Sequence, residues 1–160
     1  MIKCEFENGN KASLRHVTVG TLVIRDGKIL LGKRGTLNGK PLSEFGKWGI
    51  LGGFMDRDEK LEETAKREAM EESGWEIDNL KLFRINDNPN RPKEDRQNVD
   101  FIFIAEAIKK TGINDEEVSN LEWFDLDNIP SKEEIAFDFF EGIELYKKYL
   151  KEKFDLPLIG

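Results

Sequence analysis

The sequence has few of the residues on which several common kinds of protein depend. It contains a single cysteine, Cys4, so no disulfide can form within the chain. Its single histidine, His16, lies in a run rich in β-branched residues, which favours a structural role over histidine-based catalysis. No stretch approaches the ~18–20 apolar residues of a membrane span, and residues 1–10 have no apolar run like that of a signal peptide. A soluble, cytoplasmic protein is the default expectation.

The chain also lacks net positive charge. It has 25 lysines and arginines against 32 aspartates and glutamates, which gives a formal net charge of −7. Proteins that bind nucleic acid in general show a clustered basic surface, so we expect no stable nucleic-acid partner.

What the chain has is the composition of a globular domain. Its 160 residues fit one domain of ordinary size, and 38% of them are apolar. No repeat, low-complexity tract or Pro/Gly/Ser-rich linker divides the sequence. We therefore expect one domain over residues 1–160, with a core large enough to need neither a disulfide nor a structural metal.

Hydrophobic patterning predicts a series of strands. Runs of β-branched and aromatic residues place them at 16–24, 28–34, 75–85, 99–107 and 121–124, with a short apolar segment at 48–51. Asp26-Gly27 is typical of a hairpin turn. The polar stretches 35–47 and 86–97 contain glycine or proline and are predicted to be loops.

Two helices are predicted between and after these strands. The first covers 59–73, with Asp56 or Asp58 as its N-cap and Gly74 as a left-handed C-cap. The second covers roughly 132–150, where apolar residues recur at helical spacing. The order of strands, helix, strands and helix predicts a mixed sheet with helices packed on it.

Three carboxylates share one face of the first predicted helix. Glu68, Glu71 and Glu72 stand at positions i, i+3 and i+4, which lie on the same side of an α-helix. They would present several hard oxygen ligands within one turn, and Mg²⁺ prefers such ligands.

The ordinary explanation of such a cluster is a solvated acidic surface, and the neighbouring charges argue against it. Glu62 and Glu63 each have a basic residue four positions later, whereas Glu68 has Glu72 there. A like-charge pair at this spacing costs about 0.2–0.5 kcal/mol on an isolated helix. A bound cation would reverse the sign of that interaction.

The segment around these glutamates resembles the signature of the Nudix hydrolase family. That signature reads Gly-x5-Glu-x7-Arg-Glu-U-x-Glu-Glu-x-Gly-U, where U is a bulky aliphatic residue. Its seven fixed positions are matched here by Gly53, Glu59, Arg67, Glu68, Glu71, Glu72 and Gly74. The two U positions depart from it, with a small Ala69 and an aromatic Trp75. Both are apolar, so the departures bear on packing more than on chemistry.

The resemblance continues outside this segment at lower specificity. Residues 48–53 look like the family's Trp-x-x-Pro-Gly-Gly lead-in, with Leu51 where proline is usual. Residues 29–34 are similar to its second strand, and 122–124 followed by Pro130 resemble its passage from a strand to the last helix. The resemblance implies an α/β/α sandwich, an α+β arrangement with a mixed sheet.

The resemblance also implies roles for the residues of the signature. Glu68, Glu71 and Glu72 would bind Mg²⁺, with Mn²⁺ as a substitute, and one or more would position or deprotonate the attacking water. Which of them acts as base is left open. Arg67 would pair with Glu59 and orient the ligands, with phosphate binding as its alternative role. Gly52 and Gly53 would let the backbone pass close to the metal, and Gly74 would end the helix.

Other candidate site residues lie outside the signature. Family members sometimes take a base or an extra ligand from a later loop, and Glu116 and Glu117 are the candidates, against ordinary solvated residues. The candidate phosphate contacts are Lys33, Arg34, Lys47, Arg84, Arg91, Lys93 and Arg96. The candidate surfaces for stacking a base are Phe45, Trp48, Phe54 and Phe83, against core packing as the alternative.

The resulting hypothesis is a hydrolase of a nucleoside diphosphate linked to another group. Residues 88–92 and 135–138 faintly resemble the branch of the family that acts on nucleotide sugars, which favours ADP-ribose or a nucleotide sugar as substrate. One alternative is a nucleoside triphosphate pyrophosphohydrolase, and another is a nucleotide-sensing module that no longer hydrolyses. A third hypothesis, a structural domain without enzymatic activity, does not explain why all seven fixed positions of the signature match. Formation of a homodimer is left open.

Overall fold

The computed structural model describes residues 2–91 and 98–160, and within them it contains twelve strands and two helices. The strands are β1 (Ile2–Glu5), β2 (Lys11–Leu14), β3 (His16–Arg25), β4 (Lys28–Arg34), β5 (Thr36–Leu37), β6 (Lys40–Pro41), β7 (Trp48–Gly49), β8 (Leu51–Phe54), β9 (Trp75–Asn86), β10 (Asn98–Lys110), β11 (Val118–Asp125) and β12 (Leu158–Ile159). The helices are α1 (Leu61–Ser73) and α2 (Phe139–Lys151). Within the described residues, neither helix has the length and apolarity needed to cross a membrane.

Eight strands form one mixed sheet. Its order is β11-β4-β3-β10-β9-β12, and β7 and β8 extend it by pairing with β4 and β3. The central strands β3 and β10 run parallel, whereas β4 and β8 run antiparallel to β3 and β9 runs antiparallel to β10. The predicted mixed sheet is therefore confirmed.

The two helices cover opposite faces of this sheet. Successive side chains of a strand point to opposite faces, so the neighbours Leu22 and Val23 of β3 belong to different parts of the core. Val23 packs in a cluster with Ala65 and Ala69 of α1, and Leu22 packs in a second cluster with Ile143 of α2. The expected α/β/α sandwich is thereby confirmed. The small side chain of Ala69, buried under the helix, lets α1 lie close to the sheet.

The start of α1 differs from the prediction. The helix begins at Leu61 with Lys60 as its N-cap, and the expected cap by Asp56 or Asp58 is wrong. The Glu63 carboxylate accepts a hydrogen bond from the Lys60 backbone N–H at 2.8 Å, which satisfies one of the donors that a helix leaves unpaired at its start. The side chain three residues into the helix therefore does the capping.

The start of α2 also differs from the prediction, because α2 begins at Phe139 and not near residue 132. Ile135 forms a bridge with Trp48 of β7, where the Trp48 N–H donates to the carbonyl of Glu134 at 2.9 Å. Phe137 then has a φ of 51°, in the left-handed region. Ile135 is buried, as its spacing suggested, but it packs from a short segment between two turns that is hydrogen-bonded to β7.

The shortest strands were not predicted. β1 and β2 form a separate antiparallel ribbon, β5 and β6 form a hairpin inside the predicted loop 35–47, and β12 pairs with β9. The predicted segment 48–51 is divided between β7 and β8. Strands of two to four residues carry too few positions for a recognisable periodicity.

Candidate active site

One cleft of about 350 Å³ gathers most of the residues that the signature singled out. We call the carboxylates from α1 and from the loop before β11 the acidic cluster, which consists of Glu68, Glu71, Glu72, Asp115 and Glu117, and two further carboxylates, Asp56 and Asp100, line the cleft as well. We call its two phenylalanines after β11 the aromatic wall, which consists of Phe137 and Phe139. Arg34, Gly52, Gly53, Phe54, Arg67 and Arg91 also line the cleft.

Glu72 is the most deeply placed member of the acidic cluster. It faces the sheet from α1, is only 8% exposed, and accepts a hydrogen bond from the Gly52 backbone N–H at 2.7 Å. Burial raises the pKa of Glu72 well above its usual value, and the nearby charge of Glu68 adds to the rise. The buried position therefore favours either a protonated carboxyl or a carboxylate that faces a cation.

The two glycines before α1 allow this close approach. Gly52 has a φ of 149°, and a Cβ there would overlap the carbonyl oxygen of Val19 in β3. A Cβ at Gly53 would lie 2.5 Å from Oε1 of Glu68. Gly52 therefore needs glycine because the backbone of β3 is in the way, whereas a side chain at Gly53 would displace the carboxylate of Glu68.

Arg67 connects most of the signature's acidic residues. Its guanidinium binds Glu59 through two bonds, Nε–Oε1 at 2.6 Å and Nη2–Oε2 at 3.0 Å. Its Nη1 donates to Glu68 at 2.8 Å and to Glu71 at 2.9 Å, and its Nη2 also donates to the Phe54 carbonyl at 3.0 Å. The bond from Arg67 is the main cause that lowers the pKa of Glu59 to about 2. These contacts support the positioning role that the resemblance implied.

The loop before β11 adds carboxylates to the same cleft. The Asp115 backbone N–H donates to the Glu71 carbonyl at 3.0 Å, which holds this loop against the end of α1. Burial, followed by nearby negative charge, raises the pKa values of Asp115 and Glu117. Of the two expected candidates, Glu117 lines the cleft, whereas Glu116 points to the β5–β6 hairpin. Asp115 was missed, although it directly precedes them in the same acidic run.

The acidic cluster has the chemistry of a divalent cation site. In residues 2–91 and 98–160, no three acidic, histidine or cysteine side chains are arranged to hold a metal ion together, and Arg67 and Gly52 occupy carboxylate oxygens of Glu68 and Glu72. Carboxylate oxygens are nevertheless the ligands that Mg²⁺ and Mn²⁺ prefer. Burial first, and nearby negative charge second, raise the pKa values of four members, and a cation would offset both effects: Glu68, Glu72, Asp115 and Glu117.

Arg34 brings positive charge between the acidic cluster and the aromatic wall. Its Nε donates to the Ser43 carbonyl at 2.7 Å, and its guanidinium carbon lies 5.0 Å from the centre of the Phe137 ring. Its charge partly offsets the effect of burial on the pKa values of Glu72 and Glu117. The side chain is thus oriented by two contacts on the cleft wall.

Arg91 lines the cleft but is committed to other residues of the protein. It is buried and binds Asp138 through two bonds, Nε–Oδ2 at 3.0 Å and Nη2–Oδ1 at 2.8 Å, with Asp100 Oδ2 at 3.6 Å. Asn86 also donates to Asp138 at 2.7 Å. Burial raises the pKa of Asp138, but Arg91 and Asn86 lower it by more. These contacts favour a structural role for Arg91 over the expected phosphate contact.

The other expected phosphate contacts are placed elsewhere. Lys47 pairs with Glu44 at 2.8 Å, Lys33 lies 5.4 Å from the centre of the Trp48 ring, and Arg84 donates to the carbonyl of the last residue at 2.7 Å. None of these three lysine and arginine side chains lines the cleft. Two further candidates lie outside the described residues: Lys93 and Arg96.

The aromatic residues of the cleft are mostly not those expected from the sequence. Phe54 lines it and packs on His16 at 5.3 Å between ring centres. Phe83 is fully buried in the core, Trp48 packs edge-on against another ring, and Phe45 is exposed outside the cleft.

The aromatic wall is the unexpected part of the cleft. Its two rings, Phe137 and Phe139, meet edge-on at 5.4 Å and are both half-buried. Gly49 makes room for the second ring, because a Cβ there would lie 3.3 Å from it. Helical spacing had placed these residues within a continuous helix, so their position on the cleft was not recognised.

Comparison with known proteins agrees with this fold. The model of the NUDIX domain matches residues 14–143, a range that includes the whole signature segment. The chain belongs to the Nudix family, whose members are pyrophosphohydrolases.

Individual relatives carry more specific names. The chain is 29% identical over 133 residues to the ADP-ribose pyrophosphatase of Methanocaldococcus jannaschii, covering 83% of this chain and 73% of that protein. It is 32% identical over 120 residues to the oxidized purine nucleoside triphosphate hydrolase of Danio rerio, covering 73% and 70%. The crystal structure of a MutT NUDIX hydrolase from Burkholderia pseudomallei matches with a TM-score of 0.67 and 28% identity, covering 82% and 98%.

Proposed function

We propose that residues 1–160 act as a single-domain, magnesium-dependent pyrophosphohydrolase that cleaves a diphosphate bond in a nucleoside diphosphate joined to a second group. ADP-ribose and nucleotide sugars are the proposed substrate class, which the similarity to the archaeal ADP-ribose pyrophosphatase supports. One observation carries the proposal: carboxylates from α1 and from the loop before β11 line the same cleft.

Glu68, Glu71 and Glu72 are the proposed ligands of Mg²⁺, with Mn²⁺ as a substitute. A bound divalent ion supplies charge neutralisation at phosphate oxygens and a lowered pKa for water. Arg67 positions the side chains of Glu68 and Glu71, and Gly52 positions that of Glu72 through its backbone N–H. Ligands that are held in place by neighbouring residues bind metal more tightly than unsupported ones.

Glu117 is the proposed acceptor of the proton from the attacking water. It lines the cleft beside the helix glutamates, and burial raises the pKa of its carboxyl. A carboxylate with a raised pKa is a stronger base than an exposed glutamate. Glu116 is not assigned this role, because its carboxylate is turned to the β5–β6 hairpin.

The rest of the cleft fits the nucleoside part of such a substrate. Arg34 offers positive charge to the diphosphate, and Phe137 and Phe139 offer half-exposed rings on which a base can stack. Arg34 is positioned between the two, since its charge acts on Glu72 while its guanidinium lies over Phe137. Cleavage of the diphosphate bond in a substrate bound in this way would release a nucleoside monophosphate.

A nucleoside triphosphate pyrophosphohydrolase is the second candidate function. The 32% identity to a hydrolase of oxidized purine nucleoside triphosphates favours it. The acidic cluster would serve either class of substrate. The two candidate functions therefore differ in the group that is joined to the nucleoside diphosphate.

The test is hydrolysis of a panel of substrates with Mg²⁺ or with a chelator. The panel contains ADP-ribose, a nucleotide sugar, a dinucleotide, and canonical and oxidised nucleoside triphosphates. We expect metal-dependent release of a nucleoside monophosphate from ADP-ribose or a nucleotide sugar, and no turnover by the Glu72→Gln variant. Preferred turnover of a triphosphate would establish the second candidate. Tight binding of a panel member without any turnover would contradict both.

A further inference from the structure

Three consecutive carboxylates in the loop before β11 point in different directions. Asp115 and Glu117 line the cleft, while the carboxylate of Glu116 between them contacts the β5–β6 hairpin. Glu116 and Glu117 lie in a turn just before β11. The middle carboxylate is therefore engaged apart from the other two.

The tip of the hairpin is built to receive this carboxylate. The Asn38 backbone N–H donates to Glu116 Oε1 at 2.7 Å, while the Gly39 N–H at 3.4 Å and the Thr36 hydroxyl at 3.2 Å donate to Oε2. Asn38 and Gly39 both have positive φ angles, of 52° and 71°. Successive residues with such backbone angles can direct their N–H groups at one anion. The bonds from Asn38 and Gly39 lower the pKa of Glu116.

The base of the hairpin is joined to the same loop. The Gly35 N–H donates to the Glu117 carbonyl at 2.7 Å, and the Thr36 N–H donates to the Glu116 carbonyl at 2.8 Å. A Cβ at Gly35 would overlap the carbonyl oxygen of Glu116, so the two segments can approach this closely only with glycine there. Main chain and side chain thus connect one loop to both ends of the hairpin.

The hairpin forms part of the cleft wall without belonging to the main sheet. β5 and β6 pair only with each other among the described strands. Leu37 at the end of β5 and Leu42 just after β6 both line the cleft. Their placement therefore depends on the contacts that hold the hairpin, and Glu116 supplies the side-chain contacts at its tip.

We propose that Glu116 is a positioning residue that sets substrate affinity by joining the hairpin wall of the cleft to the loop that carries Asp115 and Glu117. The proposal rests on the proposed hydrolysis for its kinetic consequence. Glu116 acts through Leu37 and Leu42 and not on the reacting phosphate. Its loss raises KM and changes kcat little, because the acidic cluster stays in place.

The test compares Glu116→Gln with the wild-type protein on the substrate that the panel identifies. Glutamine has the same shape but presents an NH₂ group to backbone N–H donors in place of one acceptor oxygen. We expect KM to rise about tenfold, equivalent to the loss of one charge-assisted contact, while kcat stays within about twofold. Thr36→Val removes a single donor, so its KM should rise less. Glu122→Gln, at an exposed glutamate of β11, is the matched control and should leave both constants unchanged.

Amide hydrogen exchange provides a readout that does not depend on activity. In Glu116→Gln the Asn38 and Gly39 amides should exchange faster than in the wild-type protein, and in Glu122→Gln they should not. A fall in kcat at constant KM would place Glu116 in the chemistry and overturn the proposal. Unchanged KM and unchanged exchange would also overturn it.

The same variants are compared for binding of AMP with Mg²⁺ by calorimetry. If the wild-type protein is inactive on the whole panel, only the proposed hydrolysis is contradicted. Weaker AMP binding by Glu116→Gln than by the wild-type protein would then still support the positioning role. Equal AMP binding together with faster exchange would show that the hairpin does not set affinity, and would overturn the inference itself.

Discussion

Two arginines of the cleft are each surrounded by carboxylates, and they differ in burial and in sequence range. Arg67 binds Glu59, Glu68 and Glu71, all within eight residues of it on or just before one helix, and its side chain is 27% exposed. Arg91 binds Asp138, 47 residues away, and its side chain is 4% exposed. We call these the helix network and the buried network, the latter including Asp100.

The difference in burial separates a network that can respond to a ligand from one that holds the fold together. Partly exposed ion pairs contribute little to stability, so the helix network can rearrange around a cation at low cost. A buried charge that loses its partner is strongly unfavourable, so the buried network must stay intact. Changes in the two networks should therefore affect different properties of the protein.

The largest expected effect is on stability, from Arg91→Met. It leaves the buried Asp100 and the half-buried Asp138 near each other without the Arg91 cation, which should lower the free energy of unfolding by about 3–5 kcal/mol. Urea denaturation measures it. Adding Asp138→Asn to the variant should recover part of the loss, because one uncompensated charge is removed. A loss below about 1 kcal/mol would show that Arg91 does not hold the segments together.

Glu72→Gln should have the next largest effect, on turnover. The side chain keeps its size and can still accept the Gly52 N–H, so the free energy of unfolding should not fall. Loss of a metal ligand should reduce kcat/KM about 10²–10³-fold, equivalent to roughly 3–4 kcal/mol in the barrier. Steady-state kinetics measures it, with Glu62→Gln on the exposed face of the same helix as the control. Wild-type turnover by Glu72→Gln would remove this residue from the metal site.

Arg67→Lys should have a smaller effect, on metal affinity. Lysine keeps the charge but loses the two-bond contact with Glu59 while also contacting Glu68 and Glu71 less well. The Mg²⁺ concentration for half-maximal activity should rise about 10–100-fold, while stability changes by less than about 1 kcal/mol. Arg57→Lys, at an exposed arginine before α1, is the control. An unchanged Mg²⁺ requirement would mean that Arg67 does not orient the ligands.

The smallest expected effect is the pH dependence of stability without metal. A carboxyl whose pKa is higher in the folded protein than in the unfolded protein holds its proton more tightly when the protein is folded. Its contribution to stability is therefore lost as the pH rises from the unfolded-state pKa through the folded-state pKa. Burial raises the pKa values of Glu68 and Glu72 in this direction. The Tm in chelator should therefore fall as the pH rises above the ordinary glutamate pKa, and Mg²⁺ should raise it more at the higher pH.

The control for this effect is Glu72→Gln, in which the fall should be smaller because the most deeply buried of these carboxyls no longer ionises. The groups with lowered pKa, such as Glu59, lose their contribution only at more acidic pH. An equal fall of the Tm in the variant would mean that Glu72 does not cause it.

Much of the site follows from local spacing, and several failures of prediction share one property. Positions i, i+3 and i+4 put Glu68, Glu71 and Glu72 on one helical face wherever the helix lies, and Gly74 ends the helix with its predicted left-handed φ of 69°. Those failures concern contacts between distant segments, whereas the N-cap of α1 was mispredicted for a local reason, the bond between Lys60 and Glu63. Ile135 matched helical spacing but pairs with Trp48, and Glu116 resembled a solvated residue but holds the hairpin.

The sequence by itself determined the family, the mixed α+β fold and the glutamate face of α1, because each depends on residues a few positions apart. Only the tertiary structure decided that Arg91 is buried against Asp138, that Asp115 and Glu117 join the helix glutamates, and that Phe137 lines the cleft. Those contacts exist because the sheet brings distant segments together, and a pattern within one segment carries no information about which partner it will meet.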